Sequence, residues 1–239
     1  MKKALSILVI FITFGYLGYV SYGMLLESPR FAPPTKPGVS PVTVPLLAVT
    51  EDNNGLVIPL SVELLPGTGK VLVNINNPSF ILDTQDSMRL AVKEAAEMTN
   101  TDMNRYDVVF SITTNISIIG GPSAGAAMTI ATMALILDKQ IKKDVAITGT
   151  IMPGGYIGQV GGIEEKALAA KEHGIKLVLV PLGESVYREP FENCTQRKGA
   201  GWSQKECFIT YRLVNISKEV GIQVKEVGTI TEALKYMVE

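Results

Sequence analysis

The sequence predicts an α/β (α+β) domain, and three observations carry that expectation. Short runs rich in Val, Ile and Leu alternate with longer stretches of helical periodicity from Val42 to the C-terminus. Clusters of Gly, Pro and Asn punctuate the runs where turns are needed. Hydrophobic residues make up 46% of 239, enough for a sizeable core. The formal net charge of −1 and the absence of a basic run argue against nucleic acid as a partner.

The elements follow in order. Met1-Lys2-Lys3 precedes an uncharged apolar run from Ala4 to Leu26. At about 1.5 Å per residue such a helix crosses a bilayer core of about 30 Å. Val20-Ser21-Tyr22-Gly23 is a poor version of a signal-peptidase site, so residues 1–27 read as a retained N-terminal anchor rather than a cleaved signal sequence. Lys2 and Lys3 put the N-terminus in the cytoplasm. That makes the protein single-pass, with its domain extracytoplasmic. Residues 28–45 form a Pro-rich linker, in which Pro29, Pro33, Pro34, Pro37, Pro41 and Pro45 favour an extended tether. Residues 46–239 form the domain.

Strands are expected at Val42–Val49, Leu56–Leu64 and Lys70–Ile75, separated by Asp52-Asn53-Asn54-Gly55 and Pro66-Gly67 turns. Asp83–Met98 reads as an amphipathic helix with Met88, Val92, Ala95 and Ala96 toward the core. Asp107–Ile112 is a buried strand, Pro122–Leu137 a helix, and Val145–Thr148 and Tyr156–Val160 are strands. A helix from Ile163 stops at His173-Gly174. Leu177–Val180 and Ile222–Val227 are further strands, and a helix from Thr231 ends the chain. Between them lies a polar insert holding Cys194, Cys207 and Trp202.

Two stretches carry candidate chemistry. In Gly120-Gly121-Pro122-Ser123-Ala124-Gly125, a Pro suited to a first helical turn places Ser123 at a helix N-terminus. Free backbone N–H groups and the helix dipole there would stabilise an oxyanion. Alone, the hexapeptide is better read as a tight turn into a buried, Ala-rich helix. In Gly161-Gly162-Ile163-Glu164-Glu165-Lys166-Ala167, Lys166 has small and apolar neighbours one turn away, while Glu164 and Glu165 point to other faces. Burial would favour its neutral amine. Service as a base near pH 7 needs a shift of roughly 3 units, on the order of 4 kcal/mol.

Together the two stretches resemble the proteolytic domain of the Lon protease family, in which a Ser in Gly-Pro-Ser-Ala-Gly and a Lys in Gly-Gly-x-x-x-Lys form a Ser-Lys dyad. The resemblance implies catalytic Ser123 and Lys166. It also implies supporting roles for Gly121, Pro122 and Thr148, since Ala146-Ile147-Thr148-Gly149 matches the strand whose Thr hydrogen-bonds the catalytic Lys. Pro66-Gly67-Thr68-Gly69-Lys70 looks like an early segment of the family domain. The likeness covers roughly residues 60–239 and is weakest over Leu182–Arg212. Gly120 stands where many family members carry an acidic residue, which leaves open how the Ser loop is held.

Other chemistries fit less well. His173, the single histidine, sits at a helix end where the dipole favours it, so a Ser-His-Asp triad lacks its base. One His and two Cys form no zinc cluster. The Gly67–Lys70 turn has Leu64 and Val71 where a P-loop needs Gly and Ser or Thr, which disfavours ATP. No cofactor or metal is expected. On an outer face Cys194 and Cys207 would close a disulfide loop. Asn115, Asn193 and Asn215 begin N-glycosylation sequons. The expectation is therefore an ATP-independent serine endopeptidase that cuts unfolded or exposed polypeptide near a membrane. The resemblance adds a homo-oligomeric ring as an expected assembly. A non-catalytic, membrane-tethered peptide-binding or assembly module is the alternative.

Overall fold

The computed structural model describes residues 40–75, 79–80, 82–112, 114, 118–119, 121–200 and 202–239. The Ala4–Leu26 run, most of the tether, Gly120 and the Asn115 sequon lie outside them. Among the described residues no helix is long and apolar enough to cross a membrane.

β1 (Val42–Val49) and β2 (Gly55–Pro66) pair antiparallel from Val42 opposite Val62 to Val49 opposite Gly55. Residues 42–45, which the sequence also allowed as the end of the tether, are thus already in the ladder. β3 (Val71–Ile75) and β4 (Ser79–Phe80) lead to α1 (Leu82–Thr99). β5 (Tyr106–Ile112) and β6 (Ile118–Ile119) precede α2 (Gly125–Ile136). β7 (Val145–Ile147), β8 (Thr150–Met152) and β9 (Tyr156–Gly158) lead to α3 (Ile163–Glu172). β10 (Leu177–Val180), a ribbon of β11 (Val186–Gly199) and β12 (Trp202–Asn215), β13 (Gln223–Glu226) and α4 (Ile230–Met237) complete the chain.

A seven-stranded sheet in the order β13-β10-β7-β1-β2-β5-β3 carries the domain. Its β13, β10, β7 and β1 run parallel, and β2 runs antiparallel to both β1 and β5. Successive side chains of a strand leave opposite faces, and here each face has its own core. Leu46, Ile147 and Leu179 join Met88 of α1, Ile130 of α2 and Ile230 of α4. Leu47, Ala146 and Val178 join Ile163, Ala167 and Ala170 of α3. Helices therefore cover both faces. α2 is buried along its whole length, which its Ala-rich composition permits because small side chains let neighbours approach from every side.

Several boundaries differ from the sequence expectation. The Ser123 helix is split into a 3-10 turn, Pro122–Ala124, and α2 proper. Ala91 takes the buried place expected of Ala96, which is half-buried. The insert is a two-stranded ribbon in continuous register, with Cys194 and Cys207 joined by a disulfide directly across it.

Candidate active site

The carboxyl ends of parallel β1 and β7 lie side by side at the middle of the sheet, and the crevice beyond such strand ends is the usual place for a site in a sheet of this kind. A cleft of about 540 Å³ opens there, lined by Ala48 and Val49 after β1, by Gly121, Pro122 and Ser123, and by Gln159, Gly162 and Lys166.

Each part of the Ser loop has a local cause. Gly121 precedes the 3-10 turn with φ +94°, a conformation that L side chains rarely adopt, although nothing lies within 4 Å of where its Cβ would be. Pro122 starts the turn, and the Gly125 N–H donates to its carbonyl. Gly125 is needed for space. A Cβ there would lie 2.7 Å from Ser87 Oγ and Ile151 Cγ2, and 2.8 Å from the Ile151 nitrogen. The loop is laced to the residues after β7, because Ser123 O accepts from Gly149 N–H at 2.9 Å and Gly149 O accepts from Ala126 N–H at 3.0 Å.

Helix α1 holds the loop from the other side. Gly121 N–H donates to Asp83 Oδ1 at 3.3 Å, Thr84 Oγ1 donates to Gly121 O at 3.4 Å, and Ser87 Oγ donates to Pro122 O at 3.4 Å. An acidic group thus reaches the Ser loop from a separate helix. Asp83, Thr84 and Ser87 were not singled out in the sequence, because contacts of this separation leave no spacing signal.

Lys166 is only 3% exposed. Its Nζ donates to Thr148 Oγ1 at 3.1 Å, and the Thr148 hydroxyl donates onward to Ser123 O at 3.4 Å. One hydroxyl accepts and donates at once, as its chemistry allows. Burial pulls the lysine down from 10.5 to about 8, against an opposing pull from the Glu184 and Glu165 carboxylates. Glu184 is the group that motif reading missed. It lies in the loop after β10, its carboxyl is raised above the ordinary range by desolvation, and it accepts the Val160 N–H at 3.1 Å.

Ser123 and Lys166 line the same cleft but are not hydrogen-bonded to each other. Thr148 links them through the Ser123 carbonyl. Such looseness is common in unliganded catalytic sites. Chemically, the cleft offers a hydroxyl at a helix start, an amine whose pKa burial has lowered to about 8 and a polar residue orienting that amine. His173 stands apart at the end of α3, where its Nδ1–H donates to Ala169 O at 2.8 Å.

Residues 40–188 match the family model of the Lon protease (S16) C-terminal proteolytic domain. The chain belongs to the Lon protease family. Lon protease 2 of Syntrophobacter fumaroxidans is 33% identical over 118 residues, covering 48% of this chain and 15% of that relative. The Lon protease of Phenylobacterium zucineum is 32% identical over 119 residues, with coverage of 48% and 15%. The archaeal Lon protease of Methanocaldococcus jannaschii is 30% identical over 150 residues, 60% of this chain and 21% of that relative. The Lon-type match therefore involves only a small part of each relative. It includes Ser123, Thr148 and Lys166, and it ends as the ribbon begins.

In this Lon-type domain the Gly67–Lys70 turn is occupied from within. Asp107 Oδ1 accepts the N–H groups of Thr68 and Lys70, both at 2.8 Å. These bonds, the Lys70 one foremost, hold the Asp107 carboxyl below its usual range. A phosphate would need those same donors.

Proposed function

We propose that the chain is a serine endopeptidase working by a Ser-Lys dyad, without ATP, on unfolded or exposed polypeptide segments beside a membrane. The observation that carries the reading is Lys166, buried, lowered to about 8 and hydrogen-bonded to Thr148 against the Ser123 loop. Neutral Lys166 Nζ takes the Ser123 Oγ proton as Oγ adds to the scissile carbonyl. The oxyanion is met by backbone N–H groups at the helix start, that of Ser123 among them. Collapse breaks the C–N bond, and the Lys166 ammonium gives its proton to the leaving amine. Water, deprotonated by the same amine, then hydrolyses the acyl-serine.

The filled Gly67–Lys70 turn supports the reading without ATP. The apolar Ala4–Leu26 run supports a single-pass anchor with the domain extracytoplasmic, and residues 28–41, ahead of β1, serve as the tether. Family membership supports a homo-oligomeric ring. Incubation of the full chain in detergent with casein, without ATP, tests the activity: the parent cleaves and Ser123→Ala does not. Full activity in Ser123→Ala refutes the assignment. The missing Ser123–Lys166 hydrogen bond favours a second reading, a non-catalytic peptide-binding or assembly module. A peptide boronate separates the two, because only a competent Ser123 forms the covalent adduct.

A further inference from the structure

The β11–β12 ribbon is long, and among the described residues its strands pair only with each other. Register sorts its side chains. Val186, Pro190 opposite Tyr211, Glu192 opposite Ile209, Arg188 opposite Leu213 and the disulfide share one face, whose apolar row therefore runs along β12. On that face Val186 is 38% exposed, Tyr211 65%, Ile209 68% and Leu213 72%.

The register also orients the backbone. Cys194 and Cys207 have their Cα atoms 4.0 Å apart, the narrow spacing of a pair whose N–H and C=O groups point away from the partner strand. The pairs two, four and six residues along, at Ile209, Tyr211 and Leu213, repeat that orientation because the register runs without a bulge. Among the described residues, the outer edge of β12 therefore offers three alternate residues whose N–H and C=O groups no strand pairs. The same residues place their apolar side chains on one face. On β11 the corresponding edge is interrupted at Pro190, which has no N–H to offer.

The ribbon leaves the sheet beside the candidate cleft. Val186, at the root of that face, and Ile216, directly after β12, line a cavity of about 420 Å³ together with Asn53, Val160 and Gly162. Those three residues also line the cleft of Ser123 and Lys166. The described chain begins at the opposite end of β1, whose far residues Ala48 and Val49 reach that cleft. The family match stops at residue 188, so most of the ribbon lies beyond it.

We propose that the outer edge of β12 is a docking edge for substrate. An unfolded polypeptide adds to it as an extended strand, lays alternate apolar side chains over Ile209, Tyr211 and Leu213, and is led along the Val186 cavity into the cleft. The proposal rests on the peptidase reading for its direction, but docking itself needs no catalysis. Continuity with the cleft favours a substrate chain over a second copy as the occupant.

The test measures binding of fluorescein-labelled casein to the full-length Ser123→Ala protein by fluorescence anisotropy. Adding Ile209→Ser, Tyr211→Ser and Leu213→Ser raises Kd at least about tenfold if the edge docks substrate. Adding Phe208→Ser and Thr210→Ala, on the opposite face, changes Kd less than about twofold. Equal Kd values for the parent and the triple variant, or equal weakening by both sets, overturn the proposal. Sedimentation velocity supplies the remaining outcome: a triple variant that lowers the assembly mass and leaves casein affinity intact assigns the face to a second copy, and the proposal falls. Because Ser123→Ala is used throughout, failure to bind is distinct from failure of the parent to cleave.

Discussion

Lys166 carries the cost and the use of the site in one group. Its folded value of about 8 lies below the unfolded 10.5, so the folded state binds fewer protons between those values and stability rises with pH through that window. Below pH 8 the buried charge costs about 3 kcal/mol relative to solvent. Lys166→Met should therefore abolish hydrolysis while leaving the melting temperature at pH 7 unchanged or higher. Its stability advantage over the parent should shrink by about 3 kcal/mol from below pH 8 to above pH 10.5 in denaturant titrations. For the parent, kcat/KM should rise about tenfold per pH unit up to about 8 and level off above it. Thr148 acts one step away. Thr148→Val removes the hydroxyl that fixes Nζ and should lower kcat about 10²-fold, whereas Thr148→Ser keeps the bond and most of the activity. Steady-state kinetics on a fluorogenic peptide checks both.

Helix α1 connects the two halves of the site. Its first turns hold the Ser loop through Asp83, Thr84 and Ser87, and its middle holds the hairpin between Thr148 and Lys166. There Glu94, 1% exposed, accepts the N–H groups of Gly154 at 2.9 Å and Gly155 at 3.0 Å through Oε2, while Oε1 meets no partner among the described residues. Glu94→Ala should strand two donors and cost about 1–3 kcal/mol, read as a lower urea midpoint. Glu94→Gln, which keeps an acceptor oxygen, should lose less. None of this was visible in the sequence, where α1 showed only its apolar stripe. Motifs and periodicity did expose the main strand and helix order, because short apolar runs mark β1, β5, β7 and β10 and Gly121, Pro122 and Gly162 punctuate the turns, but they left out the short β4, β6 and β8. They missed the ribbon, whose polar and apolar residues alternate over two solvent-facing sides, so no core pattern marks it. The signal present was the β-prone stretch Phe208-Ile209-Thr210-Tyr211.

Across the domain as a unit, the cores on the two faces of the sheet take in the ribbon only at its root, where Tyr187 packs against the α3-side core. Its disulfide should then govern the ribbon alone, since a lone pair of strands is marginal in water. Reduction should change the fluorescence of Trp202, the chain's one tryptophan and a residue of the ribbon's closing end, while leaving the main calorimetric transition in place. α2, in contrast, is enclosed on all sides, and close-packed surroundings resist sliding or tilting. Any adjustment that readies Ser123 is therefore confined to the short lever ahead of that fixed rod, with Gly121 as its pivot. Priming such a lever takes a local torsional step within a rigid frame.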